Sequence, residues 1–282
     1  KKMAEDGNIR HFNLGEKGFG ILHVIGPEAG ITLPGTIIVC SDSHTCTHGG
    51  MGSLAWGIGS SELVHAMATQ TVMQRKPRRM RVKFDGDLPQ WVSAKDLILH
   101  LIGREGAASG DGYAVEYAGS SISALGVEAR LTLCNLSIEM GSKVGMIAPD
   151  DKVYDYLEGR EFAPSGLAWD AAVTHWQSLP GDEDAIFDRD VDVDVRGLAP
   201  HISWGTSPEH TIAVTDRIPA PSNEVDLDRR QALAAAQDYI GLTPGTPIEG
   251  TPIDWVFIGS CTNSRLSDFK EAARVFSGRK VA

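Results

Sequence analysis

Short apolar runs and stretches of helical period take turns along this chain, which is the rhythm of an α/β fold. Ile37, Ile38 and Val39 are consecutive β-branched residues behind Pro34 and Gly35, and they predict a strand buried on both faces, as in a parallel sheet. Met80 to Phe84, Tyr113 to Tyr117 and Val144 to Ile147 predict further strands. Val191 to Val195 alternates strictly, the pattern of a strand with one solvent face. Helices are predicted from about Ser61 to Arg75, with Leu63, Val64, Met67, Ala68 and Val72 on the apolar face, and after the capping box at Ser93 and Asp96, where Leu97, Ile98, Leu101 and Ile102 recur. Two more are predicted over Glu128 to Met140 and Leu227 to Tyr239. Asp254 to Ile258 reads as another buried strand, followed by a turn at Gly259 to Ser264 and a helix lined by Leu266, Phe269, Ala273 and Phe276. Ile21 to Ile25 is an apolar, strand-like run interrupted by His23, and residues 159–189 read as irregular.

Breaks in this pattern divide the chain into three units. Lys76-Pro77-Arg78-Arg79 separates a first α/β unit (1–77) from a second (78–200). Residues 201–282 hold proline-rich connections and the start of a third. Another strand is expected from Lys280, where the sequence stops, so the chain is expected to be a piece of a longer one.

Composition narrows the function. A net charge of −11 argues against broad nucleic-acid or anionic-membrane binding. No apolar run approaches the roughly 20 residues that span a bilayer, and the first residues lack a signal peptide's apolar core, so a cytoplasmic location is expected. Cys40, Cys46, Cys134 and Cys261 form no C-x-x-C pair; three of them are expected to be small buried hydrophobes. Gly50 to Ala55 matches a dinucleotide fingerprint in letters only, since it does not directly follow the strand and no acidic residue lies about 20 positions on. The acidic cluster at 182–190 reads as solvated rather than as a cation site.

Chemistry concentrates at two strand ends. Ligands of open α/β sheets bind beyond the carboxyl ends of strands, where Asp42, Ser43 and His44 would lie. The same residues could also simply cap the next turn. Cys261 and Asn263 sit at the corresponding place after Ile258, while Asn135 and Glu139 share a helix face that is either solvated or turned into a polar cleft. His23, if buried, needs a partner for its ring N–H.

Three segments carry a resemblance: Cys40-Ser41-Asp42-Ser43-His44-Thr45, Cys134-Asn135-Leu136-Ser137-Ile138-Glu139-Met140-Gly141 and Gly259-Ser260-Cys261-Thr262-Asn263-Ser264-Arg265. Together they resemble the aconitase superfamily, in its two-subunit bacterial branch. The resemblance implies tandem α/β domains around a [4Fe-4S] cluster and a hydro-lyase acting on a small hydroxy-dicarboxylate of the substituted-malate type. It also implies a separate small subunit that carries the carbon base. By position it makes Cys261 one cluster ligand, with two further cysteines expected beyond Ala282. It places Asn135 and Asn263 beside the cluster and Ser43 beside the substrate. His44 is implied as the residue that handles the hydroxyl's proton, Glu139 as its carboxylate, and Asp42 as the partner of His23. Cys46 stands where many relatives have serine. Two other classes stay open: an enzyme using Cys261 as nucleophile with His23 or His44 as base, and a non-catalytic assembly unit.

Overall fold

The computed structural model describes residues 2–182 and 184–280. Its centre is a parallel sheet in which β3 (Arg78–Asp85), β4 (Tyr113–Ala118), β5 (Val144–Met146) and β6 (Arg189–Asp194) are ordered β5-β4-β3-β6. Every neighbouring pair is parallel, with Met80 opposite Val115 and Val82 opposite Val191. The core forms where the inward positions of this sheet (Met80, Val82, Phe84, Val115, Tyr117, Val193) meet Leu97, Ile98, Leu101 and Ile102 of the Ala94–Glu105 helix. That helix begins at the expected box: Asp96 accepts from the Ser93 backbone N–H at 2.7 Å. β6 buries Val191 and Val193 and exposes Asp190, Asp192 and Asp194, as its alternation predicts.

A second, smaller sheet pairs β1 (Ile37–Cys40) with β2 (Leu54–Gly57) in parallel, Ile38 opposite Ala55. Its turn, Ser43–Met51, is a 3-10 helix, buried from Thr45 onward, that packs against β5 and the Val127–Asn135 helix, so the first two expected units share a face. Gly49 allows that approach: a Cβ there would come within 1.7 Å of the Gly145 carbonyl oxygen. Residues 201–251 add a hairpin of β7 (His201–Ser203) and β8 (Thr211–Ala213) and the Leu227–Ile240 helix, joined by a small core of Trp204, Ile218, Ala236 and Ile248.

Several expectations are corrected. Residues 21–25 are not strand-like; Leu22–Ala29 is a helix, because an apolar run of five cannot by itself distinguish the two. β1 is not buried on both faces, since Ile37 is exposed. The helix after β2 stops at Thr69, where Gln70 turns left-handed, and its Val64 and Met67 face solvent. The predicted 128–140 helix changes to 3-10 at Leu136. Residues 159–189 contain a helix, Leu167–Trp176, whose Trp176 joins a satellite core with Tyr154 and Leu157. Asp254 to Ile258 is no strand and is exposed, because no described segment pairs with it.

Candidate functional site

The Asp42-Ser43-His44 turn begins as β1 ends, and Asp42 caps it: its Oδ1 accepts the His44 backbone N–H at 2.8 Å. Because that bond fixes the turn, the His44 ring projects toward the 3-10 segment Leu136–Met140, where its Nε2 lies 3.1 Å from Glu139 Oε1. A carboxylate can only accept, so Nε2–H donates to Glu139, while Nδ1 lies 3.2 Å from the Ser43 hydroxyl and 3.7 Å from Asp42 Oδ1. Both side chains keep partial exposure, 25% and 34%, so the pair is reachable from solvent. The polar face of Asn135 and Glu139 is thus turned inward, although a change of helix type separates them.

His23 reaches the same turn from the Leu22–Ala29 helix. Its Nε2 lies 3.0 Å from Asp42 Oδ1, while its ring is almost wholly buried. Burial lowers the His23 pKa and outweighs the raising effect of Asp42; nearby His44 and Arg265 lower it further. For Asp42 the balance is reversed. Burial raises its pKa, but hydrogen bonds from His23 and the His44 backbone carry it below the usual carboxylate value.

Cys261 lies beside this pair of segments. The fully buried Asn135 holds it, donating from Nδ2 to Cys261 Sγ at 3.5 Å and to Thr47 Oγ1 at 2.7 Å, and accepting from Thr262 Oγ1 at 2.8 Å. Ser260, one residue before, has φ +71°, a left-handed conformation that is strained for a non-glycine residue. Asn263 donates to Asp268 at 2.9 Å, and its Oδ1 is buried with no hydrogen-bond partner.

Two residues of the site were not singled out from the sequence. Arg265 is 1% exposed and donates to the carbonyls of Cys261, Thr262 and His23. The His23 carbonyl is free for it because Pro27, four residues on, has no N–H to offer. His48 is buried behind His23. An arginine in a cysteine turn and a third histidine near Asp42 were the available signals.

The described residues do not make a cluster's ligand set by themselves. No group of three His, Cys, Asp or Glu among them is placed to hold a metal ion. Of the other thiols, Cys46 is pushed up to about 12 and Cys134 well above normal, both chiefly by burial, and so stay protonated. Cys40, expected to be buried too, is only half-buried. The hydrogen bond to Cys261 Sγ comes from Asn135, not from an imidazole as a nucleophilic thiol would require. A cavity of about 560 Å³ opens at the amino ends of β2, β3, β4 and β5, lined by Trp56, Arg75, Arg78 and Lys143; none of the candidate site residues lines it. No helix among the described residues is long and apolar enough to cross a membrane.

Comparison with known proteins gives two findings. The model of the Aconitase family (aconitate hydratase) matches residues 1–282. A protein of Bradyrhizobium diazoefficiens named 3-isopropylmalate dehydratase large subunit 1 is 61% identical over 274 residues, covering 97% of this chain and 57% of that relative. The chain therefore spans a little over half the length of the curated relative it matches.

Proposed function

The chain belongs to the aconitase family, and from that premise we propose that it acts within the large subunit of a two-subunit hydro-lyase of the 3-isopropylmalate dehydratase type. Such an enzyme interconverts 2- and 3-isopropylmalate by removing and re-adding water, in leucine biosynthesis and in the cytoplasm. The observation that carries the reading is the convergence of His44–Glu139 and His23–Asp42 on one turn beside Cys261. The alkyl group of the substrate would be recognised jointly with a small subunit, so a citramalate-type substrate is the neighbouring reading within the same chemistry.

Aconitase-family dehydratases generally use a [4Fe-4S] cluster, which when bound supplies Lewis acidity toward a hydroxyl. Cys261 is the residue of this chain that would contribute to holding it. Asn135, which donates to Cys261 Sγ from Nδ2, would orient that thiolate.

The proton chemistry belongs to the side chains. Glu139 fixes the His44 ring through Nε2–H, which leaves Nδ1 to carry a proton to the departing hydroxyl and to take one from water in the reverse direction. Ser43, next to Nδ1, would position a substrate carboxylate by donating its hydroxyl proton. Asp42 and His23 form the second polar wall, with Asp42 ionised and half-exposed.

General acid–base catalysis contributes roughly 10²–10⁴-fold, about 3–5 kcal/mol of barrier. His44→Ala in the full-length two-subunit enzyme is therefore expected to lower turnover by that order with iron and sulfide content unchanged, and Glu139→Gln somewhat less. Near-normal turnover of 2-isopropylmalate in the His44→Ala enzyme would falsify the assignment.

A further inference from the structure

His48 is an inner link in a chain of four side chains that runs from the buried Thr32 through His48 and His23 to Asp42 at the surface of the site. Its Nε2 lies 3.1 Å from His23 Nδ1, its Nδ1 lies 2.7 Å from Thr32 Oγ1, and His23 Nε2 lies 3.0 Å from Asp42 Oδ1. His48 is wholly buried and Thr32 almost so. The two rings meet edge to face with centroids 5.2 Å apart. Gly26 makes room for them, because a Cβ there would stand 2.8 Å from Thr32 Oγ1 and 3.0 Å from His48 Cε1.

Only one arrangement of protons satisfies all three bonds. Burial, reinforced by His23 and Arg265, lowers His48 to about 3, and burial lowers His23 as well, so near pH 7 each ring is neutral and carries one proton. An ionised Asp42 can only accept, which puts the His23 proton on Nε2. His23 Nδ1 is then a lone pair, so His48 donates to it from Nε2. His48 Nδ1 is in turn a lone pair, and the Thr32 hydroxyl donates. The reverse order would set lone pairs of His23 Nε2 and Asp42 Oδ1 against each other at 3.0 Å. The charged and titratable groups facing this chain are Asp42, His44 and Arg265.

We propose that His48, backed by Thr32, is a positioning residue that locks His23 in its Nε2–H tautomer and thereby holds Asp42 in place at the mouth of the site. His48 donates, Thr32 orients the donor, and neither touches substrate. The catalytic consequence rests on the functional reading above; the tautomer does not.

The test is NMR on the full-length protein labelled with 15N at histidine, using two-bond proton–nitrogen correlations that separate the neutral tautomers. His23 is expected as Nε2–H, with His48 as Nε2–H beside it. His48→Gln keeps a donor and should preserve the His23 pattern. His48→Leu removes the donor and should give His23 a mixture of tautomers and lower turnover roughly tenfold with KM little changed. Thr32→Val should move the His23 signals less and in the same direction, and it reports even if His48→Leu fails to fold. Finding His23 as Nδ1–H in the unaltered protein, or unshifted His23 signals in Thr32→Val and any folded His48→Leu, overturns the proposal. The spectra need no substrate, so a failure of the functional reading shows only in turnover and a failure of this one shows in the tautomer.

Discussion

Two stretches of this chain read alike and fold differently. Ile37–Cys40 leads into Asp42-Ser43-His44, and residues 254–258 lead into Cys261 and Arg265; each is an apolar run that delivers polar side chains to a turn. The first run pairs with β2, and its turn is buried from Thr45 to Met51. The second forms no strand, and Trp255 and Phe257 are 91% and 86% exposed. Yet its turn is held, because Arg265 and Asn135 grip it from below. An apolar run states a need for a partner, whereas a turn can be fixed by one buried side chain without any sheet beneath it.

The largest effect that would test this contrast falls on the first turn. Gly49→Ala puts a methyl group into the Gly145 carbonyl, and backbone there cannot yield as a flexible side chain would. A loss of about 3 kcal/mol or more is expected, read as a lower urea midpoint with unchanged slope. A variant of wild-type stability would mean that the two units do not pack as described.

The same region should be acid-sensitive. His48 takes a proton at about 3 in the folded chain and near its ordinary 6.5 when unfolded, so between those values the unfolded state binds more protons. Stability then falls as pH falls, by about 2 kcal/mol from pH 7 to pH 5 for this one group. His23, also lowered, adds in the same sense. Asp42 acts later: its depressed value stabilises the fold above 3.8 and that contribution is lost as pH drops through the folded pKa. Urea denaturation at both pH values checks the slope, and His48→Gln should flatten it; an equal drop in both proteins would remove His48 as the cause.

How far the sequence could be read follows from the same contrast. The central sheet was legible because its signals are local: Val191 to Val195 alternates, Ser93 and Asp96 form their box, and Met80 to Phe84 is a compact β run. The strand end at Asp42 was legible for the same reason. The helical state of His23 was not, since Gly26 and Pro27 look like breakers; the carbonyl that Pro27 leaves free is taken by Arg265, 242 positions away in sequence. His48 was silent because its partners, Thr32 and His23, lie 16 and 25 residues earlier and no period links them. Residues 254–258 misled for the converse reason, since local β propensity was strong and a pairing partner among the described residues is absent.

Arg265 offers a smaller and more local effect. Arg265→Met keeps much of the buried volume but leaves the carbonyls of His23, Cys261 and Thr262 without their donor. The turn can rehydrate, so the expected cost is about 1–2 kcal/mol of local opening rather than of global unfolding. Hydrogen exchange of the amides at 261–265 should rise roughly tenfold, while those of β3 and β4 stay protected. Equal acceleration in both places would show that the turn is part of the global core.

The smallest expected effect is the sharpest on the difference between the two runs. Phe257 has the size and apolarity of a core residue, and truncating such a side chain in a core costs about 3–5 kcal/mol. Here it is 86% exposed, with its ring close to Gly259, where a Cβ would stand 2.7 Å from Cζ. In the 282-residue chain, Phe257→Ala should therefore change stability by no more than about 0.5 kcal/mol in either direction. Val82→Ala, at a fully buried position of β3, is the matched control and should lose about 1–3 kcal/mol in the same urea titration. If Phe257→Ala cost as much as Val82→Ala, residues 254–258 would have to be buried in solution, and the strand that the sequence predicts there would have to be restored.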